Sequence, residues 1–105
     1  MNSGAQMHFL PVHEIDWIAA DDNYIRLHAN ERSYLLRETL ARMAEKLDPK
    51  HFRRVHRSAI INLSALQRIE PQFHGEYMLV LKSGQKVTLS RSYRDGFFAS
   101  YGEGR

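Results

Sequence analysis

Apolar and polar residues alternate in short runs along much of the chain, which is the pattern of half-buried β-strands. Tyr24–Ala29 is the clearest of these runs, and it follows a turn-forming segment, Asp21-Asp22-Asn23. The predicted strands cover residues 8–11, 15–20, 24–29, 33–36, 66–69, 76–81 and 85–89. Short strands joined by short turns predict a mainly β fold built from small, largely antiparallel sheets.

One segment changes to a helical period. Leu40, Met43, Ala44 and Leu47 recur at i, i+3, i+4 and i+7, which places them on one face of a helix. Pro49 pushes the residue before it out of helical geometry, so the helix is predicted to end there. We expect this apolar face to pack on the sheets as core.

The C-terminal part of the chain carries two further structural signals. Gly84 supplies the positive φ that a hairpin loop between the last two predicted strands needs. Ser90 is a candidate N-cap for a short helical turn that holds Tyr93, Phe97 and Phe98. The expected fold therefore has one packed helix and a short C-terminal helical turn.

Length and composition limit the class of protein. With 105 residues, 43% apolar and 26% charged, the chain has room for one soluble domain. It has no cysteine, which excludes disulfides and thiolate metal sites. The apolar runs are too short for a membrane span and no signal peptide is visible, so we expect a cytoplasmic domain. Residues 7–101 should form it, between a linker remnant at 1–6 and a tail at 102–105.

The placement of charge is more informative than the net charge of +3. No acidic residue lies between Asp48 and Glu70, and none lies within residues 77–94. These two windows contain Lys50, Arg53, Arg54, Arg57, Arg68, Lys82, Lys86, Arg91 and Arg94. Two basic segments can form one positive face, which is typical of a polyanion binder, although a solvated charged surface is the alternative.

The sequence lacks the common signatures of catalysis and metal binding. Its six histidines form no His-x-x-x-His pair, and neither a P-loop nor a Gly-x-Ser-x-Gly motif occurs. We therefore expect no enzyme, no metal and no cofactor. A metal-free nuclease that uses His56 and Arg57 stays open as an alternative, but nothing in the sequence favours it.

Residues 53–58 place hydrogen-bond donors densely before an apolar anchor at 59–61. Arginine forms paired hydrogen bonds with phosphate and with guanine O6 and N7, and serine can donate to phosphate or read a base edge. The segment therefore favours nucleic-acid binding. Single strands are the alternative to a duplex, with Tyr24, Tyr34 and Tyr77 as stacking platforms, although strand tyrosines more often serve in packing.

Three segments together resemble the LytTR family of bacterial DNA-binding domains. They are residues 15–20 with 23–25, residues 52–62, and residues 87–93, within a resemblance that spans residues 9–98. The most specific part is the Phe-x-Arg-Val-His-Arg-Ser core at 52–58. The resemblance implies an elongated fold and a transcription regulator that inserts loops into successive major grooves of short repeated DNA sites.

Carried over residue by residue, the resemblance implies three DNA-contacting clusters. They are Asn23 and Tyr24; Arg54, His56, Arg57 and Ser58; and Ser90, Arg91 and Ser92. The position of Arg53 near the start of the central segment adds it as a DNA-binding candidate. Arg57 is expected to read a base edge. Arg53, Arg54 and His56 are expected to lie near phosphates. Asn62 is expected to close a structural hydrogen bond instead.

The resemblance also implies partners. The principal partner is double-stranded DNA, and a homodimer is one way to occupy repeated sites. Domains of this family usually follow a response-regulator receiver, as in two-component systems, or a membrane sensor, and neither is present in this chain. Family members vary at the reading positions, so the target sequence cannot be transferred.

Overall fold

Within residues 9–103, which the computed structural model describes (side chains as far as residue 100), the chain forms eight strands and two α-helices. The elements are β1 Trp17–Asp21, β2 Tyr24–Ala29, β3 Arg32–Leu36, α1 Leu40–Lys46, β4 Phe52–His56, β5 Ala59–Asn62, β6 Leu66–Pro71, β7 Tyr77–Leu81, β8 Lys86–Leu89 and α2 Arg91–Glu103. Short 3-10 turns lie at Val12–Glu14, Leu63–Ala65 and Phe73–Gly75.

The strands form two antiparallel sheets. One sheet has five strands in the order β3-β2-β1-β5-β4, and the other has three in the order β6-β7-β8. The molecule measures 47 × 25 × 24 Å, so it is elongated. The predicted fold class, an elongated and mainly β fold of antiparallel sheets, is confirmed.

Strand β5 is buried because both faces of the five-stranded sheet are covered at its position. On one face, Ile18 and Ile60 pack with Leu47, which follows α1. On the other face, Ile61 packs against strands β7 and β8 and against helix α2. All four residues of β5 are buried, which confirms the apolar anchor predicted at 59–61.

Helix α1 uses its predicted apolar face only in part. Leu40 and Leu47 are buried in the core, as expected, whereas Ala44 is exposed. The helix has seven residues and ends at Lys46, which is earlier than Pro49 requires. The two buried leucines therefore fix α1 on the sheet from its two ends.

Both ends of the chain differ from prediction. No strand forms at residues 9–11, because Phe9 is 89% exposed without a neighbouring strand and Pro11 has no N–H for a ladder. Helix α2 has 13 residues and continues to Glu103, into the predicted tail, and Phe97 anchors it on the core. The predicted linker remnant at 1–6 lies outside the described residues, as do residue 8 of the first predicted strand and residues 104 and 105 of the tail.

Backbone angles define the turns of two hairpins. Asn30 and Glu31 have φ angles of 53° and 64°, and two positive φ angles are what a type I′ turn between β2 and β3 requires. Gly84 has a φ of 95° in the loop between β7 and β8, as predicted. These turns set the register of their strands.

His28, on β2, is held in an environment that disfavours its charged form. Its ring stacks on Trp17, with the centroids 4.3 Å apart and the planes 5° from parallel. Burial lowers the pKa of His28 below its ordinary value of 6.5, Arg26 lowers it further, and Asp16 acts in the opposite direction. The folded state therefore prefers the neutral ring.

Stability should fall on mild acidification. The unfolded chain takes up a proton on His28 as the pH drops through about 6.5, while the folded chain resists it, so stability is full above that pH and lost below it. We expect His28→Phe, which keeps a ring on Trp17, to show a smaller loss of melting temperature. Thermal melts of both proteins between about pH 8 and pH 5.5 measure this. All other titrating groups are common to both proteins, so equal losses of melting temperature would mean that His28 is not the cause.

Candidate nucleic-acid interface

Two backbone hydrogen bonds bring the predicted DNA-contacting segments side by side. The N–H of Ala20, at the end of β1, donates to the carbonyl of Ser58 in the β4–β5 turn at 2.9 Å. The N–H of Ser90, just before α2, donates to the carbonyl of Val55 in β4, also at 2.9 Å. The β1–β2 turn, the β4–β5 turn and the start of α2 therefore form one row. We call residues 23–24, 56–58 and 90–92 the contact row.

The β4–β5 turn is held by side chains on both sides. His56 pairs with Ala59, so Arg57 and Ser58 form the loop. His56 Nδ1 accepts the backbone N–H of Ser58 at 3.1 Å and lies 2.9 Å from Ser58 Oγ. The proton of the neutral ring is therefore on Nε2. Arg54 donates from Nε to the carbonyl of His56 at 3.0 Å and from Nη2 to the carbonyl of Arg57.

Arg57 is exposed at the tip of this turn. In the part of the chain that the structure describes, no carboxylate lies within ion-pair distance of Arg53, Arg57 or Arg91. By contrast, Arg26 and Arg68 are each paired with an acid on the same chain. The β4–β5 segment and the start of α2 thus carry positive charge that the described residues leave uncompensated.

Arg53 lies beneath α2 rather than at the turn. It is half-buried and lines a cleft of about 300 Å³ between β4 and α2, together with Ser92, Tyr93 and Ser100. Its Nε is buried and has no hydrogen-bond partner. The guanidinium also has no carboxylate partner among the described residues, so a phosphate oxygen at the mouth of the cleft would balance its charge.

The β1–β2 turn supplies exposed polar side chains but no excess of positive charge. Asn23 and Tyr24 are both exposed there. Asp22 occupies the turn with a φ of 61°, and Asp21 is paired with Arg26 at 2.9 Å. A phosphate would meet acids at this turn, so its chemistry suits contact with base edges better than contact with the backbone.

The third cluster lies where β8 passes into α2. Arg91 is exposed, and its Nη1 lies 3.4 Å from the carbonyl of His74 in the β6–β7 loop. Arg94 donates to the next carbonyl of that loop at 3.0 Å, which ties the loop to the first turn of α2. The hydroxyls of Ser90 and Ser92 lie 3.3 Å apart. Ser92 is fully exposed and Ser90 half-buried.

Residues that the sequence analysis did not single out also border the contact row. A groove of about 230 Å³ is lined by Trp17, Ala19, Ala20, His56, Ser58, Ala59, Lys86, Val87 and Thr88. The sequence feature that pointed to Lys86 was its place in an acid-free window. No sequence feature pointed to Arg37, whose Cζ lies 5.9 Å from the centre of the Tyr24 ring. Because residues of both elements line this groove, β8 lies beside the β4–β5 turn.

The tyrosines proposed as stacking platforms have different surroundings. Tyr77 meets Phe98 edge-on, with the ring centroids 5.0 Å apart, and packs against the larger core cluster. Tyr34 is half-buried on β3, whereas Tyr24 is 40% exposed. Tyr77 is therefore a packing residue, and Tyr24 is the tyrosine of the three that lies in the contact row.

Asn62 closes structural hydrogen bonds, as predicted. It is 4% exposed, and its Nδ2 donates to the carbonyl of Ile15 at 2.8 Å. Its Oδ1 accepts from the backbone N–H of Ser64 at 3.0 Å and from the hydroxyl of the same residue at 2.8 Å. The side chain thus joins the segment before β1 to the end of β5.

The described residues contain neither a candidate metal site nor a helix that could cross a membrane. Among the described residues, no three His, Asp or Glu side chains lie close enough together to hold a metal ion. None of the helices within residues 9–103 is both long and apolar enough to cross a membrane.

The chain is similar to known bacterial regulators. The profile of the LytTr DNA-binding domain matches residues 5–102. The transcriptional regulatory protein LytR of Staphylococcus aureus is 32% identical over 97 residues, which are 92% of this chain and 39% of that protein. The sensory transduction protein LytT of Bacillus subtilis is 29% identical over 93 residues, again 39% of its length. The chain therefore spans well under half the length of these curated relatives.

A solved structure has the same fold. It is a LytTr DNA-binding domain of a Bacillus cereus protein, with a TM-score of 0.84 and 27% sequence identity, over 89% of this chain and 85% of that one. Because the family profile covers nearly the whole chain and the fold matches a solved example, this chain belongs to the LytTR family of DNA-binding domains, which occur in transcriptional regulators.

Proposed function

We propose that this chain binds double-stranded DNA sequence-specifically through the contact row, as part of a bacterial transcription regulator that acts without catalysis. The observation that carries the proposal is the alignment of three loop segments by the Ala20–Ser58 and Ser90–Val55 hydrogen bonds. Arginines without carboxylate partners lie on or beside this row. The printed names of the relatives, a transcriptional regulatory protein and a sensory transduction protein, support the same function.

The shape of the domain supports loops in successive major grooves of repeated sites. One helical turn of DNA spans about 34 Å, and the long dimension of the molecule is 47 Å. The major groove is about 12 Å wide, which admits a two-stranded hairpin. We propose that the β4–β5 turn enters one groove and that the flanking segments of the row reach the DNA on either side of it.

The residues of the row divide into two roles. Arg57 has an exposed guanidinium on a well-held turn, so we assign it to a guanine edge, where two parallel donors are needed. Arg53, Arg91 and Nε2 of His56 are assigned to phosphates. Asn23 and Tyr24, with Ser58, Ser90 and Ser92, complete the contacts to base edges, sugars and phosphates.

The salt dependence of duplex binding tests this assignment. Each phosphate neutralised by a cation contributes about 0.9 to the slope of log affinity against log salt. If Arg53 and Arg91 meet phosphates as assigned, and Lys86 beside the contact row meets a third, the slope should be about −2.7 or steeper. Fluorescence anisotropy on a duplex selected from a random pool, between about 50 and 200 mM salt, measures it. A flat dependence would mean that these cations do not face DNA.

A basic single-stranded nucleic-acid binder is the second candidate, and the exposed ring of Tyr24 is what favours it. The two functions differ in competition. An excess of single strands of the same sequence should leave the specific duplex bound at equal salt. Displacement by single strands would favour the second candidate.

The regulator is proposed to contain more than this domain. Because the chain spans 39% of the length of LytR and LytT, we infer an accompanying receiver or membrane-sensor domain. Two copies of the domain, one on each repeat, would then form a homodimer on DNA. Sedimentation of the chain with duplexes that carry one or two repeats measures this stoichiometry.

A further inference from the structure

Arg54 turns its guanidinium back onto the β4–β5 turn, whereas Arg57 at the tip of that turn is exposed. Two of its nitrogens donate to the carbonyls of His56 and Arg57. Its Cζ lies 5.9 Å from the centre of the Tyr93 ring, on the first turn of α2. The side chain is half-buried, so much of its hydrogen-bonding capacity serves the turn.

The β4–β5 turn needs this support because the strand ladder does not supply it. The register shifts between Arg54 and His56, which marks a β-bulge, so the ladder pairing is disrupted just before the turn. A bulge leaves backbone groups unpaired, and Arg54 satisfies two carbonyls beyond it. The N–H of Ser58 also donates a hydrogen bond to His56 Nδ1 within the loop.

Only arginine suits this position. Its planar guanidinium offers several donors in a fixed fork, so one side chain can serve two neighbouring carbonyls and still lie over an aromatic ring. Lysine carries the same charge as a point on a flexible stem, and it cannot reproduce that geometry. The fork therefore sets the direction in which the backbone of Arg57 leaves the turn.

We propose that Arg54 is a positioning residue for DNA reading, which holds the turn so that Arg57 meets a base edge at a fixed angle. Tyr93 supports the guanidinium of Arg54 and thereby joins the turn to α2, which carries Arg91. Preorganisation of this kind lowers the entropic cost of a specific contact and leaves nonspecific attraction unchanged. The inference rests on the proposed function, and it replaces the phosphate contact expected for Arg54.

Arg54→Lys separates the two roles, because it keeps the charge and removes the fork. A phosphate contact would survive the change, with both affinity and specificity near those of the wild type. A positioning role predicts that the ratio of specific to random binding falls about tenfold, the scale of one bidentate base contact, while the salt slope stays the same. Arg42→Lys, on α1 and paired with Glu38, is the matched control and should match the wild type. An unchanged ratio in Arg54→Lys overturns the proposal.

A second measurement does not depend on DNA. Hydrogen exchange at the Ser58 amide should lose protection in Arg54→Lys, and to a lesser degree in Tyr93→Leu, while core amides of β5 keep theirs. If the wild type prefers no duplex, the proposed function fails, and this readout still decides whether Arg54 holds the turn. Full protection at Ser58 in both variants overturns the inference.

Discussion

Leu47→Ala is expected to lower the free energy of unfolding by about 2–5 kcal/mol, the range for truncating a buried leucine. Leu47 is 7% exposed and packs with Ile18, Ile25 and Ile60 of the five-stranded sheet. The cavity would open between the end of α1 and the sheet, among the apolar side chains of this core cluster. Denaturant unfolding followed by circular dichroism measures the loss.

Leu35→Ala is the matched control, because the same change is made at a leucine that is 54% exposed on β3. It should change stability by no more than about 0.5 kcal/mol. Leu47→Met, which nearly conserves volume, should cost less than about 1.5 kcal/mol and keeps the test readable if the alanine variant does not fold. At temperatures where each variant is folded, DNA binding should match the wild type. A Leu47→Ala protein with normal stability and no DNA binding would make α1 a recognition helix.

Local patterns predicted much of the fold because the strands and turns here are decided by near neighbours. The alternating run at Tyr24–Ala29 matches β2 residue for residue, and Gly84 marks the hairpin loop between β7 and β8. The failed strand at residues 9–11 shows the limit, since a strand exists only where a partner pairs with it. The segment has the composition of a strand but no pairing strand among the described residues, and composition alone does not reveal whether such a strand exists.

The order of strands in the sheets was beyond local pattern. Strand β5 pairs with both β1 and β4, and its burial on both faces depends on α1 on one side and α2 on the other. The sequence marks residues 59–61 as buried, but it does not say which segments cover them. The alignment of the contact row follows from this pairing, through the bond between Ala20 and Ser58.

The central arginines show why residue roles were harder to predict than residue positions. Arg53, Arg54 and Arg57 have the same chemistry and lie within five residues of one another. Arg53 and Arg54 both line the cleft under α2, but only Arg54 donates to the carbonyls of the turn, and Arg57 lies at the exposed tip. Only tertiary structure distinguishes them.

Arg57→Ala and Arg53→Ala are therefore expected to change DNA binding in different ways. Each removes one positive charge from the same strand-turn unit, so their long-range electrostatic losses should be similar, and each serves as the control for the other. Arg57→Ala should cost about 1–3 kcal/mol on the preferred duplex and relax preference at one base position. We expect that loss to be specific because the exposed guanidinium of Arg57 has no ion-pair partner within the described residues and is free to meet a base edge.

Arg53→Ala should instead weaken specific and random duplexes alike and reduce the salt slope by about one unit. Arg53 lines the cleft under α2 with Ser92, away from the tip of the turn, so we expect its guanidinium to meet a phosphate rather than a base edge. Both variants should be measured on both duplexes over a range of salt, with folding checked by circular dichroism. If Arg57→Ala retains the full ratio of specific to random binding, Arg57 does not read a base. The reading role would then pass to Asn23 or Arg91, which lie on either side of it in the contact row.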